Sequence, residues 1–328
     1  MESRKLQKTG GSTLIVSLPK KWTKKNKLDS GSEVRIIQQP NGTVTIDPGQ
    51  LRPNKKISNV KCQDEKIQHL FRNLIGVYLA GNTEIRVTGN PRLTIKERKT
   101  IRKFSASVIG IEIIEEEASQ AILTDMSSPG VLPFRRAIKR LYRIVSAMYN
   151  DSILILEGSK DLAADVVDRD TEADKLQWFI ERQFNMMLED SNLLRKLQMS
   201  SFEGAVYSNV ARYLERIADH ACRLAEVGYV AGQIHEKKML PLAKEASEIM
   251  KNAMKSFMNN KPRKATVVID TGKKTVEKAQ TYFEKRYKKE MEHPLEFSIA
   301  MDAIMRTIAY STDIAEAAIN HSAKMENK

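Results

Sequence analysis

The chain has 328 residues, 41% of them hydrophobic and 29% charged, which is typical of a globular protein with two or three domains. Its formal net charge is +13, and its two cysteines, Cys62 and Cys222, lie far apart without a Cys-x-x-Cys spacing. This pattern excludes a disulfide-stapled module and a cysteine zinc site. The sequence has neither a signal peptide nor an apolar run of about 20 residues, so we expect a cytoplasmic protein without membrane insertion.

The positive charge is concentrated at the N-terminus. Residues 1–61 contain thirteen Lys and Arg against four Asp and Glu. A basic excess within one small module indicates a polyanionic partner, with DNA or RNA as the first candidate. Solvated lysines that keep the protein soluble are the alternative interpretation.

Residues 1–50 are predicted to be rich in β-structure. Residues 12–18 alternate apolar and polar side chains as a strand does, and Pro19 suits the start of a short helix. Two further strands, 33–39 and 43–47, flank Asn41-Gly42, a dipeptide typical of tight hairpin turns. A module this small buries too little surface to fold alone and leaves strand edges open, so we expect a homodimer.

Residues 51–128 are predicted to form a small α/β module, which begins with a linker over 51–60 that leads into a strand. The expected order is a helix at 64–80, a strand at 84–87, a helix at 94–107 and two strands within 111–124. The module contains no motif with recognisable chemistry. We interpret it as a spacer or a dimerisation unit.

Residues 129–328 are predicted to be helical almost throughout, so the fold class is multi-domain and mainly α. Six long helices are expected near 133–158, 160–192, 201–232, 235–258, 262–290 and 294–324. Six helices of this length suit two three-helix bundles packed together.

Two pairs of acidic residues stand out in the helical part. Asp170 and Asp174 are four residues apart, and so are Glu215 and Asp219, which places each pair on one face of its helix. Like charges at this spacing disfavour a helix, so a cation is expected if the two helices face each other. Oxygen ligands in that number suit Mg²⁺, Mn²⁺ or iron.

The alternative for these acids is a set of surface ion pairs that need no metal. Arg212 is within helical reach of Glu215, and Arg223 is within reach of Asp219. Such pairs are common on solvated helix faces.

Signals of catalysis are weak. None of the five histidines lies in an HExxH or comparable pattern, and neither a nucleophile elbow nor a nucleotide-binding glycine loop is present. His220 follows Asp219 but points about 100° away from it on the helix, so we expect it to be solvated. We therefore predict that the protein is not an enzyme.

Residues 3–48 resemble the AbrB/SpoVT swapped-hairpin DNA-binding domain, through KTGGSTLIVSLPKKW, LDSGSEV and TVTIDP. The resemblance implies that two chains interlock into one β-barrel, and that a basic patch on one face contacts DNA. The matching residues are Arg4, Lys5, Lys8, Lys20, Lys21, Lys24 and Lys25.

Residues 131–328 resemble PhoU, the phosphate-uptake regulator, most clearly over 168–184 (DRDTEADKLQWFIERQF) and 213–226 (YLERIADHACRLAE). The family's two bundles carry E/DxxxD motifs that bind multinuclear metal clusters. The resemblance thus implies a metal site formed by Asp170, Asp174, Glu215 and Asp219.

The second bundle departs from the family pattern. Asp313 is present, but Ala309 occupies the acidic position before it, and Lys274 and Lys278 stand where the other acidic pair is expected. We therefore expect no second metal site. The complete layout resembles archaeal PhoU-related regulators.

These observations leave two hypotheses. One is a DNA-binding transcriptional regulator of phosphate uptake or homeostasis, whose PhoU-like part senses a signal or binds a partner. The other is a regulator that docks on a phosphate transporter or a signalling kinase, while its N-terminal domain only dimerises. Salt-dependent binding to duplex DNA separates the two. A metal-dependent hydrolase, the third class, has little support.

Overall fold

A computed structural model describes residues 2–38, 42–49, 56–62, 67–127, 132–231, 236 and 238–325. The chain divides into two compact units, Met1–Lys55 and Lys56–Lys328. The second unit contains both the α/β module and the long helices. Most of the described chain is helical, as the sequence predicts.

The N-terminal unit consists of two antiparallel strand pairs and one short helix. Its elements are β1 (Gln7–Thr9), β2 (Thr13–Ile15), α1 (Lys20–Lys25), β3 (Arg35–Gln38) and β4 (Val44–Asp47). β1 pairs with β2, and β3 pairs with β4. Gly10 and Gly11 reverse the chain between the first two strands with φ angles of +48° and +62°, which glycine adopts without strain.

The predicted strand over 12–18 is shorter in the structure and has an unpredicted partner, β1. The glycine turn explains the difference, because it folds residues 7–9 back onto residues 13–15. The short helix and the two later strands are confirmed. Asn41, the first residue of the predicted hairpin turn, lies outside the described residues.

Apolar side chains of the N-terminal unit lie at its surface. Leu14 is 59% exposed, Ile36 71% and Val44 59%. Among the described residues of this unit only Asp47 is buried. The described part of one N-terminal unit therefore contains no apolar core of its own.

The α/β module has a four-stranded sheet with two helices. Its elements are β5 (Ile57–Lys61), α2 (Ile67–Leu79), β6 (Glu84–Thr88), α3 (Ile95–Ser107), β7 (Ile111–Glu116) and β8 (Gln120–Asp125). The strand order is β5-β6-β8-β7. Only the β5–β6 pair is parallel, because the crossover through α2 brings the chain back in the same direction.

The two helices and the three strands predicted between residues 64 and 124 are confirmed over their described residues. The predicted linker over 51–60 is too long, because β5 already begins at Ile57, where it pairs with β6. α3 begins with a capping box, in which the Thr94 side chain accepts from the Glu97 backbone and the Glu97 side chain accepts from the Thr94 backbone. Residues 64–66, at the predicted start of the preceding helix, lie outside the described residues. Tyr78, Ile85 and Phe104 are fully buried in the core of the module.

Seven α-helices follow among the described residues from 132 to 325, and the six long ones confirm the six predicted. They are α4 (Phe134–Leu156), α5 (Ala163–Glu189), α6 (Ser191–Leu197), α7 (Ser201–Ala231), α8 (Met239–Met258), α9 (Pro262–Tyr287) and α10 (Pro294–Met325). The short α6 occupies the stretch that the sequence marks as a break. The predicted end of the third long helix, at residue 232, lies outside the described residues.

The long helices pack in two groups around one continuous apolar core. α4, α5 and α7 contact one another and are called here the first helical group; α8, α9 and α10 are the second. α7 packs along α10, and α4 packs against α8. Gly228 permits the approach of α7 to α4, because a Cβ there would lie 2.9 Å from Cγ2 of Ile155. None of the described helices is long and apolar enough to cross a membrane.

A buried arginine on α5 anchors the α/β module to the first helical group. The Arg182 side chain is 3% exposed, and its Nη2 donates to Oδ2 of Asp125 at 2.7 Å and to the carbonyl of Asn82 at 2.8 Å. Its guanidinium lies 4.5 Å from the centre of the Tyr78 ring. Because a buried guanidinium needs all of these partners, α5 is held firmly against the module.

Candidate functional site

Four carboxylates lie together where α5 packs against α7. Asp170 and Asp174 project from α5, and Glu215 and Asp219 project from α7. The charge of Asp219 acts on all three of the others, so the four groups share one electrostatic environment. The convergence expected from the spacing is therefore present.

Burial and mutual repulsion destabilise the ionised form of the carboxylates in this cluster. Burial, followed by repulsion from Asp170 and Asp219, raises the pKa of Asp174 to about 7. Burial and repulsion from Asp219 raise the pKa of Glu215 to about 7 as well. Near neutral pH these two carboxyls are only partly ionised, since desolvation and like charges both favour the protonated form.

Arg216 supplies the counter-charge that contacts this cluster. Its Nη1 lies 3.2 Å from Oδ2 of Asp219, and its Nε lies 3.5 Å from Oε2 of Glu215. The predicted pair of Arg212 with Glu215 is wrong, because Arg212 reaches across to Glu181 of α5 at 3.0 Å. Helical spacing alone does not point to Arg216, because it directly follows Glu215 in the sequence and reaches both acids only by lying along the helix surface.

Two further side chains surround the carboxylates. The Cys222 thiol interacts with Asp170, and burial raises its pKa to about 12, so it is a neutral donor. His220 is buried and stacks on Tyr310 with ring centroids 5.9 Å apart. The expectation of a solvated His220 is wrong, because α10 covers that face of α7. The predicted pair of Asp219 with Arg223 is likewise replaced by the contact with Arg216.

The oxygen atoms of the four carboxylates are of the type that a hard cation binds. Oδ1 of Asp170 is buried without a hydrogen-bond partner in the described part of the chain, and the four carboxylates are the oxygen ligands that Mg²⁺, Mn²⁺ and iron accept. As placed, no group of three His, Cys, Asp or Glu side chains among the described residues is arranged to hold a metal ion. The residue types fit, and binding requires their side chains to close around the ion.

The second helical group lacks this arrangement. Lys274 and Lys278 are exposed on α9, and Nζ of Lys278 pairs with Oε2 of Glu245 at 2.9 Å. Ala309 is exposed on α10, and Asp313 lies half-buried one turn beyond it. α9 therefore carries a pair of exposed lysines, whereas α5 carries a pair of half-buried aspartates.

The predicted DNA-contacting residues are all exposed on the N-terminal unit. α1 carries Lys20, Lys21, Lys24 and Lys25 at a spacing that places them on adjoining faces of one short helix. Lys8 lies on β1, and Arg4 pairs with Glu2 at 2.8 Å. Their contact with DNA stays a prediction.

Two family models match the chain. Residues 138–228 match the PhoU domain, and residues 7–56 match the antidote-toxin recognition protein MazE, a bacterial antitoxin. The chain therefore contains a PhoU domain in its helical part and a MazE/AbrB-like domain at its N-terminus. The PhoU match includes all four carboxylates of the cluster.

Two solved structures are similar to part of the chain. PhoU from Pseudomonas aeruginosa is 17% identical, with a TM-score of 0.49, and the match covers 58% of this chain and 96% of that one. The phosphate transport system regulatory protein PhoU from Streptococcus pneumoniae is 15% identical, with a TM-score of 0.48, and the match covers 57% and 91%. No curated protein matches the chain.

Proposed function

We propose that this protein is a DNA-binding transcriptional regulator of phosphate uptake or homeostasis, whose PhoU domain senses a signal or binds a partner. The observation that carries the proposal is the combination, within one chain, of a PhoU domain with a MazE/AbrB-like domain that displays a cluster of exposed lysines. The role is regulatory rather than catalytic. Cytoplasmic localisation is part of the proposal, since the target is DNA.

The lysines of α1 favour contacts with DNA phosphates. Four lysines within one six-residue helix give a dense positive surface, and the helix has no acidic residue in its first turn. Lysine binds phosphate as a point charge and reads little base sequence, so this surface supplies affinity and register. Most of its binding free energy then comes from counterion release and falls with salt.

The exposed apolar strands favour a homodimer. Leu14, Ile36 and Val44 are each more than half exposed, and a second copy of the unit provides the surface that covers them. We propose that the two copies interlock as a swapped-hairpin β-barrel, which also pairs the open strand edges. We further propose that the two helical groups are two three-helix bundles of the PhoU kind.

A gel-shift titration of the full-length protein against its own upstream DNA tests this function. We expect binding that weakens steeply between about 50 mM and about 200 mM salt. The variant with Lys20→Glu, Lys21→Glu and Lys24→Glu should lose at least about 100-fold in affinity, since three phosphate contacts become repulsive.

The matched control reverses the charge of three exposed lysines at and just beyond the end of α9, with Lys285→Glu, Lys288→Glu and Lys289→Glu. It should bind DNA like the wild type. Unchanged affinity in the α1 variant, or affinity insensitive to salt, contradicts DNA binding. The chain would then act by docking on a transporter or a signalling kinase.

We also propose that Asp170, Asp174, Glu215 and Asp219 hold Mg²⁺, Mn²⁺ or iron. The bound cation would neutralise the cluster and tie α5 to α7. Thermal melting with and without Mn²⁺ tests this, because a ligand of the folded state adds about 2.7 kcal/mol at a hundredfold excess over its Kd. The rise should disappear with Glu215→Gln and Asp219→Asn. Equal melting of both proteins, with no metal found by elemental analysis, leaves the ion pairs with Arg216 as the sole role of the cluster.

A further inference from the structure

A groove of about 490 Å³ runs between the first half of α7 and the last half of α10. Its floor is apolar and includes Ala205, Val206 and Ala317. Its volume lies within the range of roughly 300–1,000 Å³ that is usual for small-ligand sites. The groove lies outside the carboxylate cluster between α5 and α7, and the proposed function does not use it.

Two carboxylates on one wall of the groove have no cationic partner among the described residues. Asp313 and Glu316 are one helical turn apart on α10 and both line the groove. Elsewhere on α10, Asp302 is paired with Arg306 at 3.6 Å. Burial, with repulsion from Glu316, raises the pKa of Asp313. Asp313 and Glu316 therefore give this part of the groove a negative charge, which favours a cationic ligand.

Aromatic rings line the α7 side of the groove, and the charges of Asp313 and Glu316 act on one of them, Tyr213. Tyr213 lines the groove from α7 and stacks on Tyr310 with centroids 6.4 Å apart, and Phe202 lines the same wall while 38% exposed. Aromatic faces attract organic cations, and carboxylates bind ammonium groups through charge-assisted hydrogen bonds. A methylene chain suits the alanine and valine floor, which a hydrated inorganic ion would leave unused.

We propose that this groove binds an aliphatic diamine or polyamine. Asp313 and Glu316 pair with an ammonium group, Tyr213 provides an aromatic face, and the carbon chain lies on the apolar floor. Lys324 also lines the groove, and it lies on α10 more than two turns beyond Glu316. Its positive charge repels a second ammonium group and so limits how far the ligand extends in that direction.

Isothermal titration of the full-length protein with putrescine and spermidine tests the proposal. We expect saturable binding of both amines, and none of 1,4-butanediol, the neutral analogue of putrescine. Asp313→Asn with Glu316→Gln should weaken amine binding at least tenfold. The matched control, Glu277→Gln with Glu284→Gln on the exposed face of α9, removes the same charge and should bind like the wild type.

A second variant, Ala205→Leu, keeps both carboxylates and fills the floor, so it should also lose amine affinity, with circular dichroism verifying its helical content. Equal amine affinity in the wild type and the Asp313/Glu316 variant overturns the proposal. So does binding of Mn²⁺ or of a lysine-rich peptide that depends on these carboxylates while free amines fail to bind. Those two results would assign the groove to a metal or to a protein partner.

Discussion

The two helical groups carry opposite charges at the same four-residue spacing on their polar faces. α5 carries Asp170 and Asp174 toward α7, whereas α9 carries Lys274 and Lys278 toward solvent. The acids are half-buried and repel one another, while Lys278 makes an ordinary ion pair with Glu245. The comparison teaches that the apolar core sets the helix packing, and that the polar face of each group is free to diverge in charge and function.

The largest expected difference between the groups concerns their attachment. The first group holds the α/β module through Arg182. Arg182→Met should leave the buried Asp125 carboxylate and the Asn82 carbonyl without their hydrogen-bond donor. Removing one partner of a buried pair costs roughly 3–5 kcal/mol of unfolding free energy. Urea unfolding followed by circular dichroism measures this loss.

The control for this prediction is on the second group. Arg306 of α10 is 60% exposed and pairs with Asp302 at the surface. Arg306→Met should cost less than about 1 kcal/mol, as exposed pairs usually do. Similar losses in the two variants would show that the Arg182 contacts do not anchor the module.

The next effect is the pH dependence of the metal-free protein. Asp174 and Glu215 have folded-state pKa values of about 7, above their ordinary 3.8 and 4.5. Their favourable contribution is complete below about pH 4 and is lost as the pH rises to about 7. Because both groups are partly exposed, we expect a loss of only about 2–4 °C in Tm.

Asp174→Asn with Glu215→Gln should flatten this part of the Tm–pH profile. The counterpart in the second group, Lys274→Gln with Lys278→Gln, should leave its slope unchanged, because it removes neither of the two carboxyls whose pKa is raised. A wild-type Tm that stays constant between pH 4 and 7, or the same slope in the carboxyl variant, would rule out mutual repulsion as the property that distinguishes the first group.

The smallest effect comes from making the second group resemble the first. Lys274→Asp, Lys278→Asp and Ala309→Glu, together with Asp313, would give α9 and α10 the same four-residue acid spacings that α5 and α7 carry. At a Mn²⁺ concentration near the Kd of such a site, the Tm should rise by about 1 °C. Lys285→Asp with Lys289→Asp is the control, and it should show no such rise. Identical Mn²⁺ responses would mean that the positions do not correspond.

Local patterns predicted most elements because those signals are local. The six long helices follow from apolar periodicity, and the module's second helix starts at a Thr-x-x-Glu capping box. The strand Gln7–Thr9 was not predicted, because residues 7–9 have no apolar alternation. They become a strand only through pairing with Thr13–Ile15. Strand pairing is a non-local property that a short polar segment does not announce.

The candidate site shows the same division. The four-residue spacing of the acids placed each pair on one helix face, but the packing of α5 against α7 decided that the pairs meet. The sequence also did not predict that Arg216 is the counter-ion or that His220 is buried under α10. Both outcomes depend on the neighbouring helices. The Asp313–Glu316 groove is invisible in the sequence because α7 and α10 each supply one wall.

The mainly helical fold, the basic first 61 residues and the i,i+4 acid pairs can all be read from the amino-acid sequence. They can be, because periodicity, composition and spacing are properties of single segments. Only the tertiary structure decided which acids are desolvated, which arginine neutralises them and which helix carries the α/β module. Those outcomes depend on burial, and burial is set by the neighbours that folding brings from distant parts of the chain.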